Sequence, residues 1–163
     1  MILYFGNILS GHGYSRTTIE YLGPRLKLYN DVMMLSSHKN ILFRYLTMCF
    51  VLVLNIRKTK LILIDTYSSN AFYYALSIGL LSKLFQIPFI PILHGGGLPK
   101  RYQTSTAPIN SLLKNSAINV TPSLFLKKQF RKHKVLTCYI PNTIDIENYR
   151  FKPRKFITPK LLW

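Results

Sequence analysis

Histidine, glycine and carboxylate are the residues through which this chain could do chemistry, and they are few. An apolar run from Ile87 ends abruptly in His94, Gly95, Gly96 and Gly97. Such a strand delivers an imidazole to a loop without Cβ atoms, where φ can be positive and a ligand can approach the main chain closely. A second candidate follows the first apolar run, in the loop Ser10-Gly11-His12-Gly13-Tyr14-Ser15. Strand, glycine loop and helix in that order point backbone N–H groups and a helix N-terminus at an anion, commonly a phosphate. The dinucleotide fingerprint needs a third glycine at position 16, where Arg16 stands. A glycine turn serving only close strand-to-helix packing is the competing explanation.

Other chemistries are poorly supplied. The His-Gly-Gly-Gly segment also occurs as an oxyanion loop in esterases, but those enzymes need a Gly-x-Ser-x-Gly elbow, and Gly11 to Ser15 misses it. His12, His38, His94 and His133 are scattered, and the 5 acidic residues form no pair at ligand spacing, so no metal site is expected. Asp65 has no acidic neighbour in sequence, which leaves two-carboxylate hydrolysis unsupported. Cys49 and Cys138 lack paired spacing and read as buried free thiols of a reducing compartment.

The elements that must position these residues alternate. Strands are expected at 2–5, 32–35, 61–64, 87–93, 117–120 and 136–140. Helices are expected over Ile19 to Leu26, after Asn40, from Ser68, Ser69 or Asn70 to Phe85, over 109–115, and after Thr121-Pro122-Ser123 with Pro122 at the first helical position. Residues 98–108 read as a polar segment. The pattern predicts an α/β fold: a Rossmann-like, doubly wound parallel sheet of about six strands with helices on both faces. At 163 residues and 48% hydrophobic, one domain with a full core is expected. Ligands in such sheets bind at the carboxyl edge, where His94 falls.

Charge and hydropathy constrain partners. The 22 Lys and Arg against 5 Asp and Glu leave +17, which favours anionic partners. Nucleic acid is disfavoured, because the basic residues are not interleaved with aromatics in any recognised module. Residues 41–56 are apolar, flanked by Lys39 and by Arg57, Lys58 and Lys60, and interrupted by Arg44 and Asn55. They fall short of the ~18 to 20 residues a span requires. A buried core helix is the leading reading, with membrane-surface contact second. Lys127, Lys128, Arg131 and Lys132 form a basic helix face, either solvated or in contact with anionic lipid or phosphate. No secretory signal is evident, and a cytoplasmic location is expected, peripheral on the inner membrane face if lipid is bound.

The order of these motifs resembles the N-terminal domain of GT-B glycosyltransferases, and most closely the family four retaining enzymes. The likeness rests on the first glycine loop, the strand ending in His94-Gly95-Gly96, the Thr and Ser after the fifth strand, and Ile140-Pro141-Asn142-Thr143-Ile144-Asp145 before Tyr149-Arg150-Phe151. Thr143 stands where the family usually has glycine. The resemblance implies that residues 1–149 are a Rossmann-like N-terminal domain and 150–163 a basic linker. It implies that His94 lies at the reaction centre, polarising a hydroxyl or orienting it through its main-chain carbonyl; bracing the loop is the bland alternative. Gly11, Gly13, Gly95 and Gly96 would border the donor's phosphates, Asp65, Lys100 and Arg101 the acceptor side, and Pro141, Asn142 and Asp145 the hinge.

The implied partners are a nucleotide sugar and a polysaccharide, lipid-linked or cell-envelope acceptor, with no cofactor and no metal. In that family the residues that stabilise the leaving diphosphate lie in a C-terminal domain, whose equivalent is not found in this sequence. Such electrostatics are a large share of catalysis, so the chain is expected to need a second domain or a second chain for turnover. The alternative is a non-catalytic, basic membrane-docking or regulatory module on the same fold.

Overall fold

The computed structural model describes residues 1–143 and Pro153. Six strands form one all-parallel sheet: β1 (Ile2–Phe5), β2 (Val32–Leu35), β3 (Leu61–Thr66), β4 (Phe89–Leu93), β5 (Val120–Thr121) and β6 (Cys138–Tyr139), in the order β2-β1-β3-β4-β5-β6. Six helices connect them: α1 (Thr18–Lys27), α2 (Ile41–Leu54), α3 (Phe72–Leu84), α4 (Leu98–Thr104), α5 (Thr106–Asn115) and α6 (Leu124–Lys132). The fold is the α/β, Rossmann-like doubly wound arrangement that the alternating pattern predicts.

The two faces of the sheet are covered unequally. Leu3, Phe5, Ile62, Ile64, Phe89 and Leu93 point to one face and share a core with α2 through α6. Tyr4, Val32, Leu63 and Ile92, one residue out of step, point to the other and meet Ile19, Leu22 and Leu26 of α1. Period-two alternation along β1, β3 and β4 builds both cores at once. Beside α1, an apolar groove of about 260 Å³ runs over Leu63, Ile90, Ile92 and Val120 and is rimmed by Ile140 to Thr143.

Several local expectations need correction. Residues 98–104 are helical, because Leu98 and Tyr102, four apart, bury one side of a short helix that composition alone conceals. The fifth strand is two residues long and shifted to Val120–Thr121. Ser123 is the N-cap of α6, its hydroxyl accepting from the Leu126 N–H, so Pro122 stands outside the helix. Ala71 occupies the N-cap of α3, and of the three expected caps Ser69 takes part, its hydroxyl accepting from the Ala71 N–H at 3.4 Å in the turn before the helix. Asn40 does cap α2, accepting from the N–H groups of Leu42 and Phe43. Helix α2 enters the core through Met48 and Leu52 but buries only these and Arg44, so it is a core helix along one side and not buried all round. Cys138 is exposed on the edge strand and Cys49 is half-buried, its thiol pushed up by burial. Asp145 and the expected linker at 150–163 lie outside the described residues, Pro153 apart. Among the described residues no helix is long and apolar enough to cross a membrane.

Candidate functional site

The winding of the sheet reverses at β1. The chain passes from β1 to β2 on one side and then to β3 and β4 on the other. Carboxyl ends at such a reversal diverge and open a crevice where α/β sheets hold ligands. What the sequence places there is Gly6-Asn7 after β1, Asp65-Thr66-Tyr67 at the end of β3 and His94-Gly95 after β4.

Register brings the polar side chains to one face. Tyr4 is level with Leu63, and Asp65 with Ile92, so Tyr4, Asp65 and Ile92 alternate with the core residues of the opposite face. The Tyr4 hydroxyl donates to Asp65 Oδ1 at 3.0 Å, and His94 Nε2 lies 3.1 Å from the same oxygen. His94 is held from behind by its main-chain N–H, which donates to the Thr66 carbonyl at 2.8 Å. All three residues are buried, with His94 8% exposed. A neutral imidazole that donates to a carboxylate through Nε2 carries its proton there and keeps Nδ1 as an acceptor. The second oxygen, Oδ2, has no partner among the described residues. Gly6 leaves it room, since a Cβ at position 6 would fall 2.7 Å from Oδ2.

Two phenols enclose the carboxylate. Tyr67 stacks on the His94 ring, with centroids 5.4 Å apart and planes 27° apart. Burial, reinforced by the Asp65 charge, pushes both Tyr4 and Tyr67 well above the ordinary phenol range, so both stay neutral. The Glu20 charge adds to the effect on Tyr67, which ties the first loop to the same neighbourhood. A cavity of about 10 Å³ between Gly6, Asp65 and Tyr67 is no larger than about one water. Any ligand larger than a water has to lie on the open edge above it.

The two glycine loops differ in what supports them. Gly95 has φ +92°, a left-handed conformation that favours glycine, and a Cβ on Gly97 would come 2.9 Å from Ser68 Oγ. The loop after β3 therefore packs against the loop after β4. Arg101 fixes that contact: its Nε donates to the Ser68 carbonyl at 3.0 Å and Nη2 to that of Ser69 at 3.4 Å, with the guanidinium over the Phe72 ring at 4.8 Å. Lys100 is exposed one residue earlier. A Cβ at Gly11, Gly13 or Gly96 would meet nothing within 4 Å, so the main chain there faces open space.

The N-terminus of α1 is already occupied by a negative charge. Glu20 accepts from the Thr17 N–H at 2.9 Å, from the Ser10 N–H at 3.3 Å and from the Ser10 hydroxyl. Burial pushes its carboxyl up, but these donors win and hold it below the usual range. A phosphate does not share that helix end with a carboxylate at low cost, so Glu20 takes the place that, from sequence, the glycine loop and α1 are expected to offer an anion.

Of the expected residues, the structure brings His94 and Asp65 into contact and sets Gly95 and Gly96 beside them. Gly11 and Gly13 lie at the same edge of the sheet, past β1. Pro141 and Asn142 are exposed and rim the apolar groove. Tyr4, Gly6 and Tyr67 complete the cluster and escaped the sequence reading. Among the described residues no three His, Cys, Asp or Glu side chains come together as a metal site would require. Comparison with models of known protein families, with characterised proteins and with solved structures gave no match to this chain.

Proposed function

We propose that this chain is the acceptor-side half of a GT-B type glycosyltransferase, taking a nucleotide sugar and a glycan or lipid-linked acceptor at the carboxyl edge of its sheet. The observation that carries the reading is the buried imidazole–carboxylate pair, His94 Nε2 to Asp65 Oδ1 at 3.1 Å, beside glycine loops at the reversal of strand order. Burying such a pair opposes stability, so a fold that keeps one at a ligand-binding edge has a use for it there.

In this reading Nδ1 of His94 accepts a hydrogen bond from a sugar or acceptor hydroxyl. Asp65 holds the imidazole in the Nε2–H form and stabilises any positive charge it gains, as a carboxylate does for a histidine base. Tyr4 and Tyr67 are positioning residues that hold Asp65 and the ring. Gly95 and Gly96 bring main-chain groups to the donor, and Gly11 and Gly13 do so from the first loop, with Glu20 keeping the diphosphate off the α1 terminus. Stabilisation of the leaving diphosphate belongs to a second domain, on the same or another chain.

Protein-observed NMR with a panel of nucleotide sugars tests this. The expected result is saturable shifts confined to residues 6–13, 65–68 and 94–97. Saturable shifts that cluster elsewhere, or none with any member of the panel, would overturn the assignment.

A further inference from the structure

A second surface points to a partner of different chemistry, and it does not depend on the reading of the sheet edge. Helix α2 buries Arg44, Met48 and Leu52 at spacings of four, yet the side turned away from the sheet is apolar as well. Leu42, Phe43, Leu46, Phe50, Val53 and Leu54 are each between 51 and 65% exposed. At about 100° per residue these six fall within an arc of roughly 120°, centred about opposite the buried three. Helix α3, which packs beside α2 on the same sheet face, adds exposed Tyr73, Leu80 and Leu84 at spacings of seven and four. Scattered apolar residues on a surface are ordinary, whereas two adjacent helices with apolar outward stripes mark an interaction site.

Charge identifies the partner. Exposed Lys39 precedes α2, exposed Arg57, Lys58 and Lys60 follow it, and exposed Lys83 lies on α3. No acidic residue occurs between Asp31 and Asp65, and Asp65 is buried, so the collar around the stripe is positive without compensation from this stretch. An apolar face rimmed by lysine and arginine matches a bilayer surface with anionic headgroups, where the side chains enter the acyl boundary and the cations meet phosphate. The length fits lying on the bilayer: 14 residues extend about 21 Å, short of the ~30 Å hydrocarbon core. We infer that the outward face of α2, continued by α3, docks this protein on an anionic membrane surface, parallel to the bilayer plane.

The test is co-sedimentation of the full chain with neutral phosphatidylcholine vesicles and with vesicles containing phosphatidylglycerol, at low and high salt. The wild type is expected to pellet with the anionic vesicles, at least about tenfold more than with neutral ones, and to lose part of that binding in salt. Phe43→Ser/Phe50→Ser should reduce partitioning at least about tenfold, given the area the two rings bury. Lys127→Gln/Lys128→Gln on α6, whose exposed side is basic with only Leu124 and Phe125 as exposed apolar residues, should leave most of the binding in place. Circular dichroism melts establish that both variants are folded. Undiminished binding of the phenylalanine variant, or loss only in the α6 variant, overturns the assignment. So does a wild type that binds no vesicle but forms a dimer that the phenylalanine variant abolishes.

Discussion

The sheet edge and helix α2 depart from the same rule in opposite directions. At the edge, Tyr4, Asp65 and His94 put polar groups and a formal charge in the interior. On α2, Phe43, Phe50 and their neighbours put apolar rings in solvent. Neither arrangement is what stability alone selects. The difference lies in how each is tolerated. The edge cluster is internally bonded, so its members depend on one another and removing one strands the rest. The α2 stripe touches little of the fold, so its residues can change with almost no effect on folding. Buried polarity coupled to the core fits a site where geometry has to be fixed; exposed apolarity uncoupled from it fits a surface that something else covers.

The sharpest way to break the comparison is Asp65→Ala. It leaves the Tyr4 hydroxyl and the His94 imidazole buried without their shared acceptor and should cost about 3 kcal/mol in urea unfolding. A cost near zero would mean that the cluster is not coupled. Tyr4→Phe removes one donor to the carboxylate and keeps the ring in the core, so about 2 kcal/mol is expected from the same measurement. Glu20→Gln tests the first loop and should cost about 1 kcal/mol at neutral pH. Because the Glu20 carboxyl is held below its ordinary value of 4.5, its contribution is complete above that pH and is lost as pH falls through the native value. The gap between variant and wild type should therefore close in acid. At the other extreme, Phe43→Ser/Phe50→Ser should change unfolding free energy by no more than about 0.5 kcal/mol per site. A loss of several kcal/mol would show that the stripe belongs to the core.

Much of this organisation is legible in the sequence, and what is not has physical reasons. His94 stands out because an apolar run stops at it and three glycines follow. The six strands and their order along the chain follow from alternation and punctuation. That Asp65 meets His94 depends on the register of β3 against β4, which no local pattern specifies. Tyr4 is hidden inside an apolar strand, where an aromatic residue reads as core. Gly6 matters only once the carboxylate it faces is in place. Helix α2 is apolar on nearly every side, so periodicity gives no direction for the buried stripe, and it is Arg44 rather than a phenylalanine that turns inward. The capping role of Glu20 was within reach, since Thr17 and Glu20 have capping-box spacing.

If His94 Nδ1 accepts from a donor-sugar hydroxyl, as proposed, the sheet edge holds a nucleotide sugar more tightly than the nucleotide alone. Calorimetric affinities of the wild type and of His94→Ala for a nucleotide sugar and for its parent nucleoside diphosphate test it directly. We predict that the wild type prefers the nucleotide sugar by about tenfold, a difference of roughly 1.4 kcal/mol, and that His94→Ala binds both ligands alike. Equal affinities in the wild type, or a preference that survives the loss of the imidazole, would contradict it.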